Sequence, residues 1–375
     1  MVTPTDRGRL NESSSPANLP PLPIRTWLLI VAALVPAAAG AQEHDATAPE
    51  ATPPRLTLRG FTNVDYAIHE EGQPNTFALG QFDLFVNSAL SENWSFLAEV
   101  NFEFGDDNNL AVDVERAQIR YSPSDAFSIA AGRMHTPLGY WNQTFHHGSW
   151  FQTTALRPEM YLFEDEGGIL PVHEVGVQAA GTLRASALDF KYSVSVVNGR
   201  GRIPDEVTNV QDRNGSKAVN AYLALAPAAL KGFEIGGDVW VDHIPADPEV
   251  AGREAEIRER ILGGYVAFLR SDVEVLAELS HVHHRDEATG ATYGTWGMYA
   301  QGSYKVGRWR PYYRFDKVEV ADGDPFLTPK DLSRHTAGLR FDPMPWVGLK
   351  GEYHLTRHPG EDDVHSARFQ AAFTF

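Results

Sequence analysis

The chain carries 49 acidic against 32 basic side chains over 375 residues, a formal net charge of −17, and it has no cysteine. This balance excludes a nucleic-acid-binding surface, which needs a basic face, and the missing thiols exclude a disulfide framework and thiolate metal ligands. A slightly negative mean hydropathy excludes a bundle of membrane helices but leaves room for a membrane β-barrel, whose inward half is polar.

A polar, proline-rich leader comes first, and then the one continuous apolar run, Trp27 to Val35, with Arg25 before it and Ala39 and Ala41 in an A-x-A arrangement after it. A positive residue, a short apolar core and a small-residue exit are the parts of a secretory signal peptide, so residues 1–41 read as a signal, its long leader as a mis-called start. The run is too short to cross a bilayer as a helix. Residues 42–54, rich in Ala, Pro, Thr and acids, read as a flexible periplasmic lead-in. Residues 55–375 read as an outer-membrane β-barrel.

Period-two patterning begins at Leu56 and runs to Ile68, with Thr57, Arg59, Asn63 and Asp65 on the opposite face and Phe61 as its apolar exception. Phe82, Leu84, Val86 and Leu90 form the next run. The cleanest strand follows: Trp94, Phe96, Ala98, Val100, Phe102 and Phe104 against Ser95, Glu99, Asn101 and Glu103. Further strands are expected near 111–122, 126–133, 173–182, 188–197, 217–226, 232–243, 257–270, 272–283, 295–305, 308–318, 332–342, 346–357 and 364–375, about 16 in all. Their connections alternate strictly between short turns and longer loops, and the strand count is even, as an antiparallel transmembrane barrel requires. Within 111–122 the apolar phase slips around Glu115 and Arg116, where a bulge would restore it. Trp94, Phe127, Phe233, Trp309 and Trp346 each start a strand after a short turn and would form a periplasmic aromatic girdle.

One stretch, Gly132 to His173, neither alternates as a strand nor repeats as a helix. A long unpatterned segment amid strands marks a functional loop, here the third extracellular loop, 134–172, folded into the barrel mouth. Arg116 and Arg120 must face the lumen, because the opposite register would put arginine in hydrocarbon at about 2 to 4 kcal/mol each. With Arg133 they form the expected basic side of a constriction, and Glu164, Asp165 and Glu166 of the loop its acidic side, a transverse field that sets ion preference. The competing reading pairs Arg116 and Arg120 structurally with Glu99 and Glu103. Arg59, Glu99, Glu103, Arg314 and Lys350 are expected on the lumen wall. Together with Asp238, Glu274, Glu278, Asp316, Arg340 and Glu352 they argue a water-filled interior. His135, His146, His147 and His173 fall in or beside the loop, but no metal-ligand spacing joins them; exposed loop histidines, with no metal and no cofactor, are expected.

Gly132-Arg133 with Pro137-Leu138-Gly139, Val197-Asn198-Gly199-Arg200-Gly201, Arg310-Pro311-Tyr312-Tyr313-Arg314 and the final Phe375 resemble the sixteen-stranded phosphate-selective porin O/P family. In that family a G-[R/K]-x-x-x-P-[L/F]-G element precedes the constriction loop. The resemblance implies a trimeric channel for small solutes. Phosphate selectors rely on a path lined by lysine and arginine, whereas this chain has seven lysines and an acid-leaning lumen, so phosphate selectivity is not carried over. The final alternating strand ending in Phe375 is similar to the signal by which the barrel assembly machinery recognises outer-membrane proteins. The expected function is passive diffusion of ions and small hydrophilic solutes across an outer-membrane lipid bilayer, without enzymatic activity. The alternatives are an adhesin or structural barrel, and a lipid-hydrolysing barrel with a plugged lumen. For the latter, Ser280 and His281 are adjacent on one strand and must point to opposite faces.

Overall fold

The computed structural model describes residues 55–69, 74–104, 109–146, 148–204, 206, 210–250 and 252–375; the signal peptide and lead-in read from the sequence lie outside the described residues. The described residues form sixteen strands, numbered in chain order: β1 (Arg55–Ile68), β2 (Thr76–Ala89), β3 (Trp94–Phe104), β4 (Leu110–Ser124), β5 (Phe127–His135), β6 (His173–Arg184), β7 (Leu188–Val197) and β8 (Ala218–Pro227). The second half comprises β9 (Phe233–Ile244), β10 (Ile257–Arg270), β11 (Val273–Asp286), β12 (Thr292–Tyr304), β13 (Trp309–Glu319), β14 (Asp331–Met344), β15 (Val347–Arg357) and β16 (Val364–Thr374). Each strand pairs antiparallel with its sequence neighbours, and β1 pairs with β16 to close the barrel. At the seam, Gly60 and Phe375 exchange backbone hydrogen bonds of 3.1 and 2.9 Å, so the last residue is part of the closing ladder. No helix among the described residues is long and apolar enough to cross a membrane.

Alternation explains the closure. Leu56, Val112, Leu223, Leu262 and Phe369 stand on the exterior, while Glu99, Asn101, Asn220, Asp316 and Thr336 are fully buried inside. A sheet with an apolar outer face can satisfy all of its backbone groups in hydrocarbon only by leaving no edge. The expected girdle residues Trp94, Phe127, Trp309 and Trp346 are exposed on the exterior beside the short turns, with Trp94 packed on Tyr121 and Trp309 on Phe341. One hairpin runs further than expected: β11 ends at Asp286 rather than near 283 and β12 starts at Thr292 rather than near 295, because Thr292, Tyr293 and Gly294 still pair with Arg285, His284 and His283.

The phase slip in β4 is a bulge at Glu115. Arg116 pairs with Glu99 and Val114 with Val100, leaving Glu115 as the extra residue. Val114 therefore stays outward while Glu115 turns in, where it is buried. This re-aiming of one carboxylate is what a bulge does locally.

The segment between β5 and β6, loop 3, contains one helical turn, α1 (Trp141–Phe145), and two 3-10 turns, Glu159–Tyr161 and Glu164–Glu166. The sequence pattern shows none of these, because each is only three to five residues long. The loop brings an apolar core into the barrel: Leu138, Trp141, Met160, Tyr161, Ile169 and Leu170 pack against the inward Trp240, Ile261, Tyr265, Leu276 and Tyr299. The expectation of a wholly water-filled interior is thereby corrected. Around the loop the lumen is a packed core.

Candidate functional site

Two glycines set the entry of loop 3. Gly132 in β5 has φ 134°, and a Cβ there would meet the Ala117 carbonyl oxygen at 2.0 Å. Gly139 has φ 63°, and a Cβ there would stand 1.7 Å from the Tyr161 hydroxyl and 2.1 Å from Glu278 Oε2. Only glycine fits the second position, where the chain turns against the far wall.

From there the backbone of the loop is held by inward side chains of β9 to β16. Gly139 N donates to Asp238 Oδ2 at 2.9 Å. Glu278 accepts four hydrogen bonds, from the amides of Tyr140 and Trp141, both at 2.8 Å, and from the hydroxyls of Tyr161 at 2.8 Å and Tyr299 at 2.6 Å. Thr153 donates to Glu274 at 2.9 Å, Ala155 N to Glu352 at 2.6 Å, and Glu159 N to Asp316 at 3.2 Å. The cations complement this on the carbonyl side. Arg314, paired with Asp316 at 2.8 Å, donates to the carbonyls of Leu156 and Arg157; Arg340 donates to those of Trp150 and Gln152, and Lys350 to that of Thr154. Charge-assisted bonds of this kind are about twice as strong as neutral ones, and they satisfy backbone groups that an irregular segment would otherwise leave orphaned.

Two residues of the motifs belong to the same fastening. Arg200, from the Val197–Gly201 run, donates through Nη2 to the Ile169 carbonyl at 2.6 Å and pairs through Nε with Glu259 at 3.0 Å. Arg314 closes the Arg310–Arg314 run. Arg200 and Arg314 thus seat loop 3 rather than line an open path.

The expected constriction residues separate into three places. Arg116 is paired with Glu99 at 2.5 Å and stacks over Phe85, the wall pairing that competes with a constriction role. Arg120 donates to Ser128 at 3.1 Å and lines a space of about 490 Å³ toward the short-turn end, with Lys191, Gln143 and Glu234. Arg133 meets Glu164 in one small cavity, and Asp165 and Glu166 in another of about 40 Å³. Glu164 is buried 3.8 Å from Arg200, and burial lifts its carboxyl to about 7 although the guanidinium pulls it down. Asp165 and Glu166 are exposed. Glu103 accepts from Gln81 at 2.6 Å, and Arg59 is exposed on β1.

A second space, of about 310 Å³, opens toward the long-loop end and is lined by Asp65, Glu103, Arg157, Glu166, Arg368 and Gln370. In the β3–β4 register the Arg116–Glu99 pair stands between the two spaces, since Glu103 lies above it and Arg120, opposite Ser95, below. Arg157, in loop 3, was not singled out by the sequence. Its guanidinium is clamped between the rings of Trp141 and Phe163, 5.0 and 3.9 Å from their centroids, and desolvation lowers its pKa to about 10, still fully charged at neutral pH.

The loop histidines also differ from expectation. His146 is buried, the His173 side chain nearly so, and His135 faces them, because loop 3 folds inward rather than out into solvent. His147 lies outside the described residues. Ser280 is buried inside while His281 stacks on the exterior Trp296, so the two point to opposite faces as expected.

No protein-family model matches the chain, and no curated protein matches it. Solved structures do. The OmpF of Salmonella typhi, solved with daunomycin, is 12% identical with a TM-score of 0.60, covering 85% of this chain and 97% of its own. An anion-selective porin from Comamonas acidovorans is 11% identical with a TM-score of 0.59 over 86% of this chain and all of its own. A trimer form of OmpT, an outer-membrane protein of Vibrio cholerae, is 11% identical with a TM-score of 0.57 over 86% of this chain and 99% of its own. At these identities the likeness establishes the fold, a sixteen-stranded barrel of the kind these proteins have.

Proposed function

We propose that the protein is a porin of a bacterial outer membrane, passing ions and small hydrophilic solutes by diffusion. The observation that carries this reading is the one-sided fastening of loop 3. Its anchors lie mainly on β9 to β16, with Arg200 after β7 and Asn63 on β1 as exceptions, which leaves spaces on the β1 to β8 side toward both ends of the barrel. Arg120 and Arg133 form the basic side of that path, and Glu164, Asp165 and Glu166 the acidic side, with Arg116 largely neutralised by Glu99. At about 7 Å, unit charges interact by roughly 2 to 3 kcal/mol at an effective dielectric of 20, enough to bias permeation about tenfold without a tight site. Assembly as a homotrimer, with Phe375 read by the barrel assembly machinery, belongs to the same proposal; the trimer form of the Vibrio protein supports it.

The test is single-channel conductance of the refolded barrel in a planar bilayer under a potassium chloride gradient. Steady conductance with a reversal potential that moves toward cation preference in Arg120→Glu, and toward anion preference in Glu166→Arg, is the expected result. A correctly folded, heat-modifiable barrel that never conducts would overturn the channel reading. Conductance with unchanged reversal potentials would remove these residues from it.

A further inference from the structure

We infer that His135, His146 and His173, with Glu115, form a binding site for one divalent transition-metal ion of the zinc class, joining loop 3 to the wall at β4, β5 and β6. The three histidines come from the end of β5, the residue after α1 and the first residue of β6. Each offers a ring nitrogen, and these nitrogens lie within 4.8 Å of one another. His146 Nε2 is 2.9 Å from His173 Nε2, which is itself 2.6 Å from Glu115 Oε2. These edges are about 0.4 and 0.7 Å shorter than the roughly 3.3 Å edge of a tetrahedron with 2.0–2.1 Å bonds, so an ion is admitted once ring and carboxylate rotations spread the donors by that much.

The tautomer of His146 is fixed for this role. Its Nδ1 lies 2.5 Å from Asn142 Oδ1, and the Asn142 amide nitrogen donates to the carbonyls of Thr136 and Val172, so its oxygen must be the acceptor. The proton therefore sits on Nδ1, and Nε2 presents its lone pair toward His173. Such outer hydrogen bonds orient metal-bound imidazoles and raise their basicity. His135 is stacked on His146 at 3.8 Å, with Glu99 3.6 Å from its Nε2, and Phe163 stacks on His173 and covers the cluster from the loop side.

Two further observations favour a cation. Glu115 reaches the cluster only because the β4 bulge turns it inward. The small cavity that adjoins His173 is lined by Glu103, Asp113, Glu115, Asp165 and Glu166 against the single Arg133. This surplus of carboxylates concentrates divalent cations at the mouth of the site. Imidazole and one carboxylate are donors that suit zinc, and the set contains no soft sulfur. The inference concerns binding and stands whether or not the barrel conducts.

The experiment uses the full barrel without a histidine tag, refolded in detergent. Zinc affinity is read by competition with a chromophoric chelator, and coordination by the visible absorption of the cobalt-substituted protein. One ion per chain is expected, with cobalt absorption of a nitrogen- and oxygen-ligated low-coordination site. Binding should be lost in His146→Ala and in His173→Ala and unchanged in His281→Ala, whose side chain is on the exterior. Asn142→Ala should weaken it about 10- to 100-fold, as loss of an orienting partner does. Heat-modifiability checks that each variant is folded; for any that is not, His146→Gln replaces the imidazole with a neutral side chain and carries the same expectation. Stoichiometric binding that survives both His146→Ala and His173→Ala, binding that is lost with His281, or no binding to the wild-type barrel would each overturn the site.

Discussion

The wall from β9 to β16 and the wall from β1 to β7 both carry inward charges, yet they use them differently. On the first, Asp238, Glu274, Glu278, Asp316 and Glu352 accept from loop 3, and Arg314, Arg340 and Lys350 donate to its carbonyls. On the second, Arg120, Lys191 and Glu103 line open space, Glu103 accepting from Gln81 of the same wall and Lys191 pairing with Glu234 across at β9. An inward charge on a barrel strand therefore says nothing about water until the path of the loop is known. The same residue type is a fastening on one side and the lining of an open space on the other.

Removing a fastening should give the largest effect. Glu278→Ala leaves the amides of Tyr140 and Trp141 and two buried hydroxyls without their acceptor, and a destabilisation of roughly 3 to 5 kcal/mol is expected from four lost charge-assisted bonds. Denaturant unfolding, followed by the heat-modifiable band, measures it, and an unstable, enlarged single-channel conductance should accompany it. A variant as stable and as conductive as the wild type would erase the contrast between the walls.

Acidity sharpens the comparison at intermediate cost. The Glu164 carboxyl in loop 3, lifted to about 7 by burial against the pull of Arg200, is mostly neutral at about pH 6 and mostly charged at about pH 8. Cation preference should rise over that interval, and Glu164→Gln should flatten the rise. A raised folded pKa also means that the stabilisation is complete below the ordinary value of 4.5 and is lost as pH rises through about 7. The thermal midpoint should accordingly fall slightly from pH 5 to pH 8 in the wild type and not in that variant. The smallest effect belongs to the pair Arg184–Asp125, which is 2.6 Å apart but mostly exposed at the short-turn rim. Arg184→Ala should cost less than about 1 kcal/mol and leave conductance unchanged; a larger loss would show the rim to be part of the fastening.

The barrel was legible in the sequence because a strand with lipid on one side must alternate, and sixteen such strands did. The bulge near Glu115 was legible as a phase slip, although its consequence, a carboxylate turned toward His173, was not. The seat of loop 3 was hidden because its anchors bind backbone amides and carbonyls, which are the same for every residue and leave no pattern. A signal was present nonetheless. In β10 the inward phase carries Ile257, Ile261 and Tyr265 while the outward phase carries Leu262 and Val266, and apolar residues on both phases mark a wall with something packed against it. The histidine cluster had no such signal, since residues 135, 146 and 173 are brought together by an irregular loop rather than by a repeating element.

Every anchor of loop 3 on β9 to β16 lies downstream of the loop, at separations that run from 99 residues for Gly139–Asp238 to 215 for Ala155–Gln370. The entropy of closing a chain segment grows with the logarithm of its length, and contacts of high separation form only after nearer ones have confined the chain. Each hairpin of the wall, by contrast, joins neighbouring segments. The order of events follows from this difference. The vessel is raised hairpin by hairpin, and the loop is drawn in afterwards, so its docking is a later kinetic phase than hairpin formation and should refold on its own timescale. The β1–β16 seam, from Phe61–Thr374 to Ile68–Ala367, joins still more distant segments and is not among the early events.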